Sequence, residues 1–261
     1  MKIALTGGSG FLGSKLYYQL SQKNFEVYKF DVRNSHKLNL FLKSIELDNF
    51  NFVINTAANL YPQSNWDYNI NQNLSREIQN KILKKKTKLI HMSTLNVINK
   101  QLNDQYTKSK RLAESKLIKN DRTIIIRPSL IIDKNFNISK NTFESYTNIP
   151  LFFYPMIFPG SVYNPIFDSK LVDFIIAQLN KKDNSFKIYN IIGKNNYELW
   201  EIFNKFCANK NKKAIKVNLN FMAKINNKKL TNFFSKHSFT QNLLQLNGYT
   251  ERGKDGEDIL L

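Results

Sequence analysis

A single cysteine, Cys207, rules out an intrachain disulfide and suits a reducing compartment. Its place beside Leu199, Ile202, Phe203 and Phe206 reads as a packed core thiol. Histidine is almost as scarce. His36, His91 and His237 lie far apart with no cysteine pair near them, so no metal site is expected. Nine glycines and six prolines stand against 20 phenylalanines and 12 tyrosines, which excludes a low-complexity or disordered chain. No leader-like segment and no apolar run of about 18 residues is present, so a soluble cytoplasmic protein without a membrane span is expected. The last shortage is negative charge.

Twenty acidic residues face 39 lysines and arginines, a formal charge of +19 that would attract a polyanion. The short basic clusters at 84–86, 181–182, 210–213 and 228–229 fall near expected helix ends or loops and form no motif for groove or single-strand recognition. A lysine- and asparagine-rich bias is the simplest account. Nucleic-acid or anionic-surface association stays open, with no motif to carry it. At 261 residues the chain can bury a substantial core as one large domain or a main domain with a smaller lobe.

The residues present are organised around the first thirteen. Ile3 to Thr6 read as a short buried strand running into glycines at 7, 8, 10 and 13. A strand, a tight turn of residues without a β-carbon, and a helix with free amides make an anion cradle. Gly8, Gly10 and Gly13 fit the spacing G-x-G-x-x-G of a dinucleotide turn. Phe11, Leu12, Leu16 and Leu20 give the helix face, and the next strand, Val27 to Phe30, ends in Asp31, where a ribose 2'-hydroxyl would be held. Asp31 favours NAD, while Arg33, able to reach a phosphate on that ribose, keeps NADP open.

A helix over Leu38–Leu47 and a parallel strand Phe52–Ile54 follow, the strand ending in Asn55-Thr-Ala-Ala58. Small residues there, Ala57 and Ala58 among them, let a flat cofactor pass close to the backbone. A loop with Pro62 and Trp66 leads into a helix through Leu74, Ile78 and Ile82 to Lys84–Lys86. The strand Lys88–Met92 ends at Ser93-Thr94, whose hydroxyls can bond a substrate oxygen or act as ordinary caps. Twelve residues after Thr94 comes Tyr106, and Lys110 lies four further on, on the same helix face. An ammonium beside a phenol favours the phenolate, so Lys110 is expected to lower the Tyr106 pKa. A Tyr-x-x-x-Lys pair alone is commonplace in a lysine-rich chain. After a Ser-Thr strand end and a cofactor turn, it fits hydride chemistry, with Tyr106 as proton donor or acceptor, Thr94 fixing the oxygen and Lys110 holding the nicotinamide ribose.

Further on, Arg122–Arg127 reads as a strand closed by Pro128, and 129–165 as an irregular region punctuated by Pro150, Pro155, Pro159, Gly160 and Pro165. Its aromatics, Phe152, Phe153, Tyr154, Phe158 and Tyr163, either pack or stack on a base. Helices are expected at Leu171–Leu179, 197–208, 221–234 and 239–247, with strands at 186–192 and 214–217. A partly ordered polar tail is expected over the last ten residues, up to Ile259-Leu-Leu261. The fold class is α/β, a Rossmann-like doubly wound parallel sheet with a small carboxyl-terminal substrate lobe. Residues 1–128 would form the dinucleotide-binding core, and 129–261 the substrate lobe with some segments returning to the sheet.

The sequence resembles the extended short-chain dehydrogenase/reductases, the NAD-dependent epimerase/dehydratase superfamily. The resemblance rests on Thr6-Gly-Gly-Ser-Gly-Phe-Leu-Gly13, Asp31, Asn55-Thr-Ala-Ala58, Asn71, Ser93-Thr94, Tyr106-Thr-Lys-Ser-Lys110 with Glu114, and Ile126-Arg-Pro128. Looser pieces are Phe167-Asp168, Tyr189-Asn-Ile191 and Leu243–Tyr249. Val53–Ala58 and Ile90–Thr94 are similar to the dTDP-4-dehydrorhamnose reductase branch, which points to Thr94 above Ser93. The resemblance implies an NAD(P)-dependent enzyme acting on a nucleotide-activated sugar by C4 keto reduction or epimerisation, and a homodimer is expected. It implies catalysis by Thr94, Tyr106 and Lys110. It implies cofactor contacts from Gly7, Gly10, Phe11, Leu12, Gly13, Asp31, Arg33, Ala57, Ala58, Tyr106 and Lys110.

Two departures stand out. The segment from Thr94 to Tyr106 is about half the family's usual length, which implies a smaller or more open substrate site or reduced activity. No extra strand is evident before Phe52, so an abbreviated sheet is expected. A dehydratase fits least, because Thr94 is followed by Leu95 and Asn96 instead of Asp-Glu. Reduction of another small carbonyl compound, or a non-catalytic cofactor-binding protein with anionic or RNA partners, are the alternatives.

Overall fold

The computed structural model describes residues 1–100, 102–134, 153–158, 162–181, 185–218 and 256–261. From the amino terminus, strands β1 (Lys2–Thr6), β2 (Glu26–Phe30), β3 (Phe52–Asn55), β4 (Lys88–Met92) and β5 (Thr123–Pro128) alternate with four helices. These are α1 (Phe11–Gln22), α2 (Ser35–Leu47), α3 (Asn65–Ile82) and α4 (Gln105–Lys116). Later come β10 (Lys187–Ile192) and β13 (Glu257–Leu260), which join the same sheet, and α5 (Asp168–Leu179), which packs on it. The order across this seven-stranded sheet is β2-β1-β3-β4-β5-β10-β13. Every pairing in it is parallel.

Alternation along the strands builds the two faces. Ile3, Leu5, Ile54, Ile90, Ile126 and Ile191 point to one side, where α1 contributes Leu16 and Leu20 and α5 contributes Leu171 and Ile175. Their neighbours Ala4, Val53, Leu89 and Ile125 point to the other, against Phe41 and Ile45 of α2 and Leu74 and Ile78 of α3. Each large apolar side chain so enclosed contributes on the order of 2 kcal/mol. Both faces of the inner strands are covered, so β1, β3, β4 and β5 read as largely apolar runs, whereas the edge strands β2 and β13 are largely exposed.

Helix starts follow local chemistry. Asn34 caps α2 by accepting from the Lys37 amide at 2.9 Å, and Ser64 and Asp67 form a reciprocal capping box on α3. Asp104 caps α4 by accepting from the Thr107 amide at 2.8 Å. Among the described residues no strand lies outside β2, in keeping with the abbreviated sheet expected before Phe52.

The remaining described strands are peripheral. Short β6 (Ile131–Ile132) and β9 (Ile166–Phe167) pair in parallel, β8 (Val162–Tyr163) pairs with β11 (Tyr197–Glu198), and β7 (Phe153–Phe158) pairs in parallel with β12 (Lys213–Asn218). The region read as irregular therefore contains strands, whose partners lie dozens of residues away and leave no local pattern. A satellite core joins Ile132 to Ile202, Phe203, Phe206 and Cys207 of α6 (Leu199–Ala208). Cys207 is buried and free there, and burial pushes its thiol pKa up.

Of the tail expected to be partly ordered, Glu257–Leu260 form an edge strand on β10, and residues 252–255 lie outside the described residues. The expected helices at 221–234 and 239–247, the Leu243–Tyr249 ending and the aromatic Phe152 lie outside the described residues. No helix among the described residues is long and apolar enough to cross a membrane.

Candidate active site

The chain reverses its progress across the sheet at β1, with β2 on one side and β3 on the other, and a crevice opens at the carboxyl ends of these strands. A cleft of about 1150 Å³ lies there, reaching from the glycine turn past the ends of β2, β3 and β4 to α4. The turn is shaped by two glycines. Gly7 has φ +71°, and a β-carbon on it would come within 2.6 Å of the Ala57 nitrogen. A β-carbon on Gly13 would meet the Gly7 carbonyl oxygen at 2.1 Å. A β-carbon on Gly8, by contrast, would meet the flexible Lys29 side chain at 2.9 Å and Leu5 Cδ2 at an ordinary 3.5 Å, so the constrained spacing is Gly7-x-x-Gly10-x-x-Gly13. That corrects the reading of Gly8 as the first glycine of the motif.

The Gly10 amide donates to the Gly7 carbonyl at 2.9 Å, and α1 starts at Gly10 with no side-chain cap. Its first amides are thus left facing the cleft, where an anion is favoured. A pyrophosphate fits this cradle, and a β-carbon at Gly7 or Gly13 would fill it.

Asp31, at the end of β2, does not stand alone. Arg33 donates to both carboxylate oxygens from Nε at 3.0 and 2.9 Å and to one from Nη2 at 2.7 Å, and Lys37 Nζ donates at 2.7 Å. Hydrogen bonds from Arg33, then Lys37, hold the Asp31 carboxyl well below the usual carboxylate range. Two cations share one carboxylate, so this corner is not closed to a 2'-phosphate. Trp66 forms part of the same wall and anchors it by donating from Nε1 to the Val32 carbonyl at 3.3 Å.

Every residue singled out for the cofactor from sequence lines this cleft: Gly7, Gly10, Phe11, Leu12, Gly13, Asp31, Arg33, Ala57, Ala58, Tyr106 and Lys110. Thr94 does not. Its hydroxyl accepts from the Asn96 amide at 3.4 Å, capping a single 3-10 turn at Leu95–Ile98. Ser93 lines the cleft instead, and its buried Oγ has no partner among the described residues. The sequence set these two hydroxyls side by side; only the turn after β4 separates a capping role from a cleft-facing one.

Lys110 is buried and donates from Nζ to the Met92 carbonyl at 2.9 Å, with Nζ 5.9 Å from the Tyr106 ring centre. Burial pushes its pKa down to about 8. The half-buried Tyr106 hydroxyl is pushed above its ordinary value, first by desolvation and then by Asp104. The expectation that Lys110 lowers the Tyr106 pKa is therefore corrected: i,i+4 spacing brings the pair to one face, but desolvation and Asp104 set the direction of the shift.

Asn55, Asn71 and His91, which fall within pieces of the resemblance, and Ser75 and Lys15, which belong to none of its motifs, support the cleft from behind. Asn55 accepts from Thr6 Oγ1 and donates to Ser75 Oγ, both at 2.7 Å, and Ser75 Oγ meets His91 Nδ1 at 2.6 Å. This buried chain ties β1, β3, α3 and β4 together beneath the cleft. Asn71 brackets the loop after β3, accepting from the Asn59 amide and donating to its carbonyl, each at 2.8 Å. Lys15 of α1 bridges Asp133 and Asp168, joining the cofactor helix to the start of α5. Among the described residues no group of three or more His, Cys, Asp or Glu is placed to hold a metal.

Comparison with solved structures finds the same fold in dTDP-4-dehydrorhamnose reductase from Clostridium acetobutylicum, at 20% identity, 84% coverage of each chain and a TM-score of 0.64. The dTDP-4-dehydrorhamnose reductase of Bacillus anthracis in complex with NADP is similar at 18% identity, 83% coverage of each chain and a TM-score of 0.65. The dTDP-glucose 4,6-dehydratase of Bacillus anthracis in complex with NAD, at 19% identity, matches over 97% of this chain and 98% of its own, with a TM-score of 0.64. A comparison with curated proteins finds no match. The family described as the RmlD substrate binding domain matches residues 1–136, just over half of the chain and the part that builds the glycine turn, the β4 hydroxyls and α4. The chain belongs to this family, within the extended short-chain dehydrogenase/reductases.

Proposed function

We propose that the protein is an NAD(P)-dependent oxidoreductase that reduces the C4 keto group of a nucleotide-activated sugar, with Tyr106 as the proton donor. The observation that carries this reading is that Tyr106 and Lys110 line the same cleft as the glycine turn. A family of reductase relatives and fold neighbours named for dTDP sugars supports the substrate class.

In this reading the Gly7–Gly13 turn and the first amides of α1 bind the cofactor pyrophosphate. Asp31, Arg33 and Lys37 receive the adenosine ribose, with or without its 2'-phosphate, so both NADH and NADPH are accepted. Ala57 and Ala58 leave room beside the backbone, and Lys110 holds the nicotinamide ribose. A bound cofactor supplies the hydride. Tyr106 supplies the proton to the new alcohol oxygen, and a phenol held above its ordinary pKa is protonated at neutral pH. Thr94 is the hydroxyl that the family pattern assigns to the substrate oxygen; the free Oγ of Ser93 supports a second assignment for that role.

The test is turnover of dTDP-4-dehydrorhamnose with NADH and NADPH. Tyr106→Phe should cut turnover by roughly 10²–10⁴-fold while leaving cofactor affinity nearly intact. Unchanged turnover in that variant would sink the assignment. Ser93→Ala and Thr94→Val, measured in parallel, decide which hydroxyl acts. Reduction of another small carbonyl compound is favoured by the short segment after Thr94; activity on simple aldehydes or ketones with none on the dTDP sugar would select it.

A further inference from the structure

Arg111 follows Lys110 on α4, yet it reaches neither the cleft nor an acidic partner named at the site. Its Nε donates to the Val97 carbonyl at 3.2 Å, and its Nη2 donates to the carbonyls of Asn99 and Leu102 at 2.8 and 3.2 Å. All three acceptors belong to the segment joining β4 to α4, and Val97, Asn99 and Leu102 are buried. The segment is a succession of tight turns, with amide-to-carbonyl bonds from Val97 to Thr94, Asn99 to Asn96 and Leu102 to Asn99. It begins at Ser93 and Thr94 and ends at Asp104, which caps the helix bearing Tyr106. Both ends of the segment therefore carry chemistry.

Buried carbonyls left without donors are costly; the Asn99 carbonyl already accepts from the Leu102 amide, and the planar guanidinium adds a second donor to it while also bonding the Val97 and Leu102 carbonyls, a three-way geometry that a lysine does not reproduce. We propose that Arg111 is a positioning residue: by clasping the Val97, Asn99 and Leu102 carbonyls to α4, it sets the spacing between the hydroxyls at the end of β4 and the Tyr106 phenol. This rests on the reading of Tyr106 as proton donor. The bracing alone does not require it. Arg111 touches no reacting atom, and its effect is transmitted through the backbone it holds.

Arg111→Ala and Arg111→Lys distinguish this role from general support of the fold. Turnover of dTDP-4-dehydrorhamnose is normalised to NADPH-binding sites counted by titration, and backbone amide exchange is followed at Val97, Asn99 and Leu102. Arg111→Ala should lower turnover per binding site by about tenfold or more, since small misplacements of reacting groups cost on that scale. NADPH affinity should stay within about twofold, and exchange at the three amides should quicken by about tenfold or more. Arg111→Lys should fall between, restoring part of both effects. A merely structural role would reduce the number of binding sites and leave turnover per site unchanged; that result overturns the proposal. Should Arg111→Ala fail to fold, Arg111→Lys decides by the same readouts, wild-type values overturning it. If the wild-type chain does not reduce the dTDP sugar, the functional reading fails separately, and unchanged amide exchange in the variants overturns the brace by itself.

Discussion

Lys110 illustrates how a single residue is governed by where its side chain ends. Its ammonium is enclosed against the Met92 carbonyl, and burial lowers its pKa to about 8. A lysine depressed on folding binds its proton more weakly in the folded than in the unfolded state. Below about pH 8 it is charged in both states and the burial penalty is fully present; above about pH 10.4 it is neutral in both and the penalty is gone. Stability from this group therefore rises between those limits, by about 3 kcal/mol. Urea unfolding of the wild type and Lys110→Met at pH 7.5 and 10 should show the variant's relative stability falling at the higher pH. A difference independent of pH would mean that Lys110 keeps its proton throughout.

At the scale of the element, α4 does three jobs with three sides. Tyr106 and Lys110 address the cleft, Arg111 clasps the segment behind it, and Glu114 meets Arg127 of β5. The last pair is a fork, with Arg127 Nε 3.0 and 3.1 Å from the two Glu114 oxygens and Nη2 2.5 Å from one. Both side chains are about nine-tenths buried, at 8% and 10% exposure, so removing one charge takes a buried fork away from the other. Glu114→Gln is expected to cost on the order of 3 kcal/mol of stability, measured by urea unfolding. A loss below about 0.5 kcal/mol, the scale of a surface pair, would show the fork to be solvated. The sequence placed Arg127 at a strand end and Glu114 four residues after Lys110, but spacing alone did not pair them.

For the whole molecule, the governing quantity is charge. The +19 excess is spread over a compact fold, so like charges repel in the folded state more than in the extended chain. Salt shortens that repulsion, from a Debye length of about 30 Å at 0.01 M to about 8 Å at 0.15 M. The thermal midpoint should therefore rise by a few degrees over this range in sodium chloride, read by calorimetry. A midpoint that falls instead would mean that ion pairs such as Lys81–Glu46 outweigh the repulsion. The sheet also closes at this scale. Its outer strand β13 comes from the last residues of the chain and pairs with β10, some 70 residues earlier, as Asn190–Asp258 at 2.9 Å records.

Periodicity and punctuation are local, and they sufficed for the α/β class, the five amino-terminal strands, their helices and the missing strand outside β2. A glycine turn, a Ser-Thr strand end and a tyrosine four residues before a lysine are local too, and they mark the cleft. Partnership across space is not local. The pairing of β7 with β12, the return of Glu257–Leu260 to the sheet and the replacement of Gly8 by Gly7 as the strained glycine depend on residues distant in the chain. So do the turning of Thr94 into a cap while Ser93 faces the cleft, and the high pKa of Tyr106. The sequence by itself determined which elements form and which chemical groups they carry; burial and long-range hydrogen bonding, which exist only once the elements pack, decided which of those groups face the cleft and in what protonation state.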